Sequence, residues 1–219
     1  CWRNHDPATA LAICQRLDLP EVVGRVLAGR GVGLDGAPAF IAPRLRDTLP
    51  DPSHLLDLDV AVERLADAVQ AEERIGLLGD YDVDGATSVA LLARYLAAVG
   101  APSTIDIPDR LREGYGPNVA ALDRLAAQGC RLVVILDAGT TAFAPLAHAA
   151  QRGQQIIVID HHVAQAELPQ ALGVINPNRR DQRSGVGELA AVGVTFLVVV
   201  ALNRTLRRRG HFNRRPEPD

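Results

Sequence analysis

Residues 75–85 read Ile75-Gly76-Leu77-Leu78-Gly79-Asp80-Tyr81-Asp82-Val83-Asp84-Gly85, and from residue 86 to 99 the apolar residues recur at helical spacing. An apolar run that breaks into three alternate carboxylates and a glycine, and then into a helix, marks a strand-to-helix join in an open α/β sheet. Alternate side chains of an extended segment share a face, so Asp80, Asp82 and Asp84 are expected to converge at the carboxyl end of the strand. Three like charges there repel one another unless a cation sits among them.

Two other apolar runs end in the same way. Residues 132–136 run into Asp137, and four β-branched residues, Ile156 to Ile159, run into Asp160-His161-His162. Three strand ends therefore carry oxygen and imidazole donors, a metal-binding set without thiolate that suits manganese or magnesium better than structural zinc. A calcium loop also opens Asp-x-Asp-x-Asp-Gly, but its twelfth position must be a chelating Glu and here is Leu91. A solvated acidic turn is the plain alternative, yet turns seldom stack three acids behind a buried strand.

Working outward, helices are expected over 60–72, 86–98, 119–127, 145–151 and 188–209, and strands over 75–79, 104–107, 132–136, 156–159 and 174–175. This alternation, with strands apolar on both faces, predicts an α/β fold whose parallel sheet has helices on both faces. Right-handed crossovers put all its strand ends on one edge. Residues 1–57 have a different texture, with helical patterns after Pro7 and Pro20, a turn-rich stretch at 29–36 and a loop punctuated by Pro43, Pro50 and Pro52. They are expected to form a small helical or irregular lead-in before a domain over 58–219. Gly31-Val32-Gly33-Leu34-Asp35-Gly36 spells a dinucleotide fingerprint, but it follows a helical pattern instead of a strand and reads as an ordinary loop.

Composition narrows the classes. A 219-residue chain with 47% hydrophobic content can bury one full core and part of a second, so one or two domains are expected. With 23 basic against 26 acidic residues, bulk charge does not mark a nucleic-acid binder, and any such binding has to be local. Every basic residue is Arg; without Lys there is no P-loop. Cys1, Cys14 and Cys130 form no Cys-x-x-Cys pair and fit a reducing compartment, here read as the cytoplasm. The longest apolar run, 189–202, is too short to span a bilayer, which takes about 20 residues, so no membrane is expected. The chain opens on Cys and lacks Met, so its start is expected to lie upstream. His5, His54, His148 and His211 fall outside the ligand clusters and read as surface or capping residues. The loop from Pro108 to Pro117 carries Arg110, Arg112, Tyr115, Gly114 and Gly116. Arg offers a fork for phosphate and Tyr a stacking face, so this segment reads equally as a nucleotide contact or as a plain connection.

Gly79 to Ser88, Glu113-Gly114-Tyr115-Gly116, Leu136-Asp137-Ala138-Gly139, Asp160-His161-His162, Ile175-Asn176-Pro177-Asn178 and Ala190 to Val194 together resemble the DHH phosphoesterase superfamily, and within it the RecJ family. Leu27 to Val32 and the proline loop are similar to that family's amino-terminal region. The resemblance implies a single-stranded-DNA exonuclease of DNA repair and recombination that works 5′ to 3′ with two divalent cations, Mn2+ or Mg2+. By carry-over, Asp80 and Asp82 hold one ion, Asp84 and His161 the other, and Asp137 bridges them; Asp84 and Asp137 thereby join the catalytic group. His162 faces the substrate and donates to a phosphate oxygen, Asp160 orients the imidazoles without binding metal, and Arg110, Tyr115 and Gly116 lie on the substrate side. Two departures stand out. Ala138 occupies a position where the family usually has Asn, so the surroundings of Asp137 are expected to differ. The family also takes a further Asp from a later motif and has later domains, so this chain reads as an amino-terminal fragment, weakly active or inactive alone. Relatives that cleave short oligonucleotides or cyclic dinucleotides usually have His where Asp80 stands. A non-catalytic DNA-binding module is the alternative from another class, and such modules tend to lose the ligands kept here. Protein partners are left open.

Overall fold

The computed structural model describes residues 6–218, so Cys1 and His5 lie outside the described residues. The chain forms two compact units, Cys1–Pro50 and Asp51–Asp219.

In the first unit, α1 (Pro7–Leu17) starts at Asp6, whose carboxylate accepts the N–H groups of Ala8 and Thr9. Helix α2 (Glu21–Gly29) lies so close to α1 that a Cβ on Gly24 would stand 2.4 Å from the Ala10 carbonyl oxygen. Ile13, Leu27 and Ala37 form the small core between them. Two short helices follow, α3 (Ala37–Ile41) and α4 (Leu45–Thr48), the second of them inside the proline-punctuated stretch expected to be loop. Pro38, in the first turn of α3, is the local cue for the first of them, because its missing N–H is unpaired there in any case.

The second unit is an α/β fold. Helix α5 (Leu58–Gln70) leads into β1 (Ile75–Gly79), α6 (Val83–Ala98) and β2 (Ser103–Asp106). A single turn, α7 (Arg110–Glu113), precedes α8 (Val119–Ala127), β3 (Leu132–Leu136), α9 (Phe143–Gln151), β4 (Gln155–Ile159), β5 (Gly173–Ile175) and α10 (Ala191–Arg208). The five strands are parallel in the order β2-β1-β3-β4-β5. The chain winds outward in both directions from β1 and β3, which makes the cleft above their carboxyl ends the topological switch point, where ligands of such sheets bind.

Side-chain alternation divides the strands between two helical layers. Leu78, Val133, Ile135, Ile156, Val158 and Val174 pack with Leu122, Leu125 and Leu146 of α8 and α9. On the opposite face, a Cβ on Gly79 would stand 2.3 Å from Val89 of α6, and one on Gly173 would stand 3.2 Å from Asp57. Residues 51–57 are tied to the sheet by polar bonds. Asp57 accepts the Val174 N–H at 3.0 Å and the Arg179 guanidinium at 2.6 Å, while the Gln182 amide meets Leu56 and His54. No helix among the described residues is long and apolar enough to cross a membrane.

Candidate metal centre

The ladder runs one residue past each central strand. Asp80 N–H donates to Leu136 C=O at 3.2 Å, Asp137 N–H to Ile159 C=O at 2.9 Å, and Asp160 N–H to Ile175 C=O at 3.1 Å. Asp80, Asp137 and Asp160 are therefore in register on adjacent strands, with Asn176 next in the row after β5. All four are buried.

Asp82 and Asp84 reach the same rim by another route than strand alternation. The strand stops at Gly79 and α6 starts at Val83, three residues before the expected onset. Asp82 is the N-cap: its Oδ1 accepts the Gly85 N–H at 2.9 Å, which holds its carboxyl below the usual carboxylate range. Gly85 is required by close approach, since a Cβ there would sit 2.4 Å from the Asp80 carbonyl oxygen. Asp84, in the first turn, points to α10. Its Oδ2 accepts the Ala191 N–H and its Oδ1 the Val192 N–H, both at 2.8 Å.

Asp137 is the most constrained member. Its backbone is left-handed, φ 61°, a conformation Asp tolerates better than most residues but that still costs energy. It is 1% exposed, and its Oδ1 has no hydrogen-bond donor among the described residues. His161 Nε2 lies 3.3 Å from that oxygen without hydrogen-bond geometry, and 3.5 Å from Asp84 Oδ2. Burial, with Asp84 and Asp82 adding repulsion, pushes the Asp137 carboxyl up to about 8. Burial raises Asp80 as well. A carboxylate held in strained backbone, with an orphan oxygen and acidic neighbours, fits a divalent cation as its missing partner.

Two groups of donors each lie within 4.8 Å: Asp80, Asp82 and Asp137, and Asp137, His161 and His162. Asp137 belongs to both. Asp84 belongs to neither, and its nearest imidazole is His161.

Asp160 accepts from His162 Nδ1 at 2.7 Å, from Thr140 N–H at 3.0 Å and from His161 N–H at 2.7 Å. Burial alone would raise its carboxyl, but these donors hold it at about 2. Donating this bond to Asp160 in turn raises the His162 imidazole. Two asparagines given no role from sequence complete the frame. Asn176 Nδ2 donates to the His162 carbonyl and to Thr140 Oγ1, each at 2.9 Å, and Asn178 Nδ2 donates to the His161 carbonyl at 2.5 Å. Their only sequence signal is the Asn-Pro-Asn that follows a strand.

The loop from Pro108 to Pro117 divides. Tyr115 Oη lies 3.2 Å from His162 Nε2 and joins the centre directly. Arg110 stands 5.0 Å above the ring of Tyr81, which meets Tyr115 edge-on, so it borders the site through a cation–π stack. Gly116 supplies a left-handed turn, φ 78°. Ala138 is buried in the apolar core. Of the other histidines, His148 pairs with Asp123, and His211 meets the Val99 carbonyl at the end of α6.

A parallel sheet that gathers strand-end aspartates and a His-His pair at its switch point defines a class, and the chain belongs to it: the DHH family, N-terminal domain, matches residues 74–214. Among individual proteins, it is 38% identical over 199 residues to the single-stranded-DNA-specific exonuclease RecJ of Salmonella typhimurium, covering 90% of this chain and 34% of that one. It is also similar to a crystal structure of exonuclease RecJ bound to manganese, with TM-score 0.64 and 33% identity over 75% of this chain and 40% of that chain. The structure of RecJ in complex with Mn2+ from Thermus thermophilus gives TM-score 0.69 and 28% identity over 96% and 28% of the two chains. The chain thus spans about a third of the length of the curated relatives it matches.

Proposed function

We propose that this chain carries the metal centre of a single-stranded-DNA exonuclease that hydrolyses phosphodiesters from the 5′ end, in DNA repair and recombination in the cytoplasm. The observation that carries the reading is Asp137: buried, strained, with one orphan oxygen, and common to both donor groups. The manganese in the similar RecJ structures supports the choice of cation.

Asp80, Asp82 and Asp137 would hold one divalent cation, and Asp137, Asp84 and His161 a second. Bound there, Mn2+ or Mg2+ supplies Lewis-acid stabilisation of phosphate charge and makes water a nucleophile near neutral pH. The remaining work falls to the protein. Asp160 fixes the His162 ring through Nδ1, leaving Nε2 to donate to a non-bridging phosphate oxygen as negative charge grows in the transition state. Asn176 and Asn178 hold the backbone of both histidines and so their aim. Arg110 offers a planar fork to the phosphate backbone beside Tyr115 and Gly116.

The test uses a protein of the relatives' length that carries this chain. Asp82→Ala and His161→Ala are expected to abolish manganese-dependent mononucleotide release from single-stranded DNA while the circular dichroism spectrum is unchanged. Full activity in either variant rejects the ligand roles, and cleavage of a dinucleotide in preference to a long strand points to the short-oligonucleotide enzymes instead.

A further inference from the structure

His162 has a single nitrogen facing outward. Nδ1 is held by Asp160 at 2.7 Å, and Asn176 grips the His162 carbonyl at 2.9 Å, so the ring presents Nε2 in a set direction. That nitrogen is already engaged, by Tyr115 Oη at 3.2 Å. With Nδ1–H donated to Asp160, Nε2–H is the ring's other donor, and here it meets the Tyr115 hydroxyl oxygen in the place a phosphate oxygen would take.

The segment carrying Tyr115 is built to release it. Glu113 is pinned to Arg124 at 2.7 Å, and Asn118 caps α8 by accepting the Ala121 N–H at 2.9 Å. Between these two fixed points lie Gly114, φ 81°, and Gly116, φ 78°, one on each side of the tyrosine. A Cβ added to either glycine would meet nothing within 4 Å, so packing does not explain them. They serve the backbone, allowing left-handed turns on both sides of one residue. Tyr115 itself is 59% exposed, and its ring meets Tyr81 at 6.5 Å and His162 at 6.1 Å, both edge-on.

We infer that Tyr115 is a latch: its hydroxyl occupies His162 Nε2 in the resting site, and a substrate phosphate displaces it by a swing of residues 114–117. This rests on the phosphodiesterase reading above, and it makes Tyr115 a positioning residue. The residue holds the imidazole in place until the phosphate arrives, and its own bond has to break for the phosphate to bind.

The sign of one change in affinity separates a latch from a substrate contact. A protein of the relatives' length that carries this chain, and its Tyr115→Phe variant, are titrated in magnesium with a 5′-phosphorylated oligothymidylate bearing phosphorothioate linkages, by fluorescence anisotropy. The His162 ring nitrogens are followed in parallel by nitrogen-15 NMR. Phe keeps the ring and removes only the hydroxyl, so the variant is expected to bind about fivefold more tightly, the equivalent of one net hydrogen bond no longer broken. In the free protein the substitution shifts the Nε2 resonance and leaves Nδ1 in place. Unchanged or weaker binding by Tyr115→Phe overturns the latch, as does an Nε2 resonance that ignores the substitution. Tight binding by the wild-type protein with the free-state Nε2 resonance retained overturns the latch and leaves the function standing. No binding by either protein removes the functional reading, and the latch with it.

Discussion

Asp84 Oδ2 accepts the backbone N–H of Ala191 at 2.8 Å, and so the first turn of α10 is capped by a residue 107 positions away. The second oxygen takes Val192, and α10 has no side-chain cap of its own. Asp84→Ala is predicted to lower unfolding free energy by about 1–2 kcal/mol, and Asp84→Asn, which keeps one acceptor oxygen, by less. Urea unfolding in chelator at pH 5, where Asp137 is protonated and repels little, measures this. Equal midpoints for all three proteins would show that the cap contributes nothing.

The raised Asp137 carboxyl makes stability depend on pH with a defined sign. In the unfolded chain it ionises near its ordinary value of about 3.9, and in the folded chain at about 8. Between those values the folded state keeps a proton that the unfolded state has lost. Stability without metal is therefore predicted to fall as pH rises from about 4 to about 8 and then to level off. Asp137→Asn removes this dependence, and added divalent cation opposes it because its ligands must be deprotonated. Thermal midpoints of the two proteins in chelator, taken across this range, would run parallel if the account were wrong.

Sequence made the sheet readable wherever apolar runs were bounded on both sides. Strands β1 and β3 and helix α8 have the bounds expected, because Gly, Asp or Asn closes each run. The acids at the ends of β1, β3 and β4 were legible for the same reason. What failed depends on partners distant in sequence or on caps overlooked. Helix α10 begins at Ala191, not 188, because the acceptors for its first N–H groups come from Asp84. Helix α6 begins at Val83 because Asp82 caps it, a local signal hidden by reading the three aspartates as one strand face. Asn176 and Asn178 could not be assigned, since their work is to hold carbonyls 14 and 17 residues earlier.

Those asparagines yield the third prediction. Asn178→Ala frees the carbonyls of His161 and Gly187. It is expected to weaken manganese binding by about 10- to 100-fold while Asp137 and its neighbours stay in place. Calorimetric titration of the variant decides it, and unaltered affinity would mean that the imidazoles are aimed without this support.

Close packing at the turn gives the fourth. Gly85→Ala drives a methyl into the Asp80 carbonyl, at 2.4 Å before relaxation. The loop or the helix start must move, at a cost of about 1–3 kcal/mol. The shift would be read from the denaturation midpoint and from weakened metal uptake in the same variant. A variant as stable as wild type would show that the turn has room for the methyl after all.

On the proposed reading, Asp137 joins two groups of ligands into one cation cage. Asp137→Asn tests it most directly, because Asn also accepts left-handed backbone and nearly preserves the side-chain volume. Manganese uptake by the chain and by this variant can be followed through the electron paramagnetic resonance of the free ion. Uptake by the wild-type chain and loss of binding at both positions in the variant are expected. Equal uptake by the two proteins would contradict that reading.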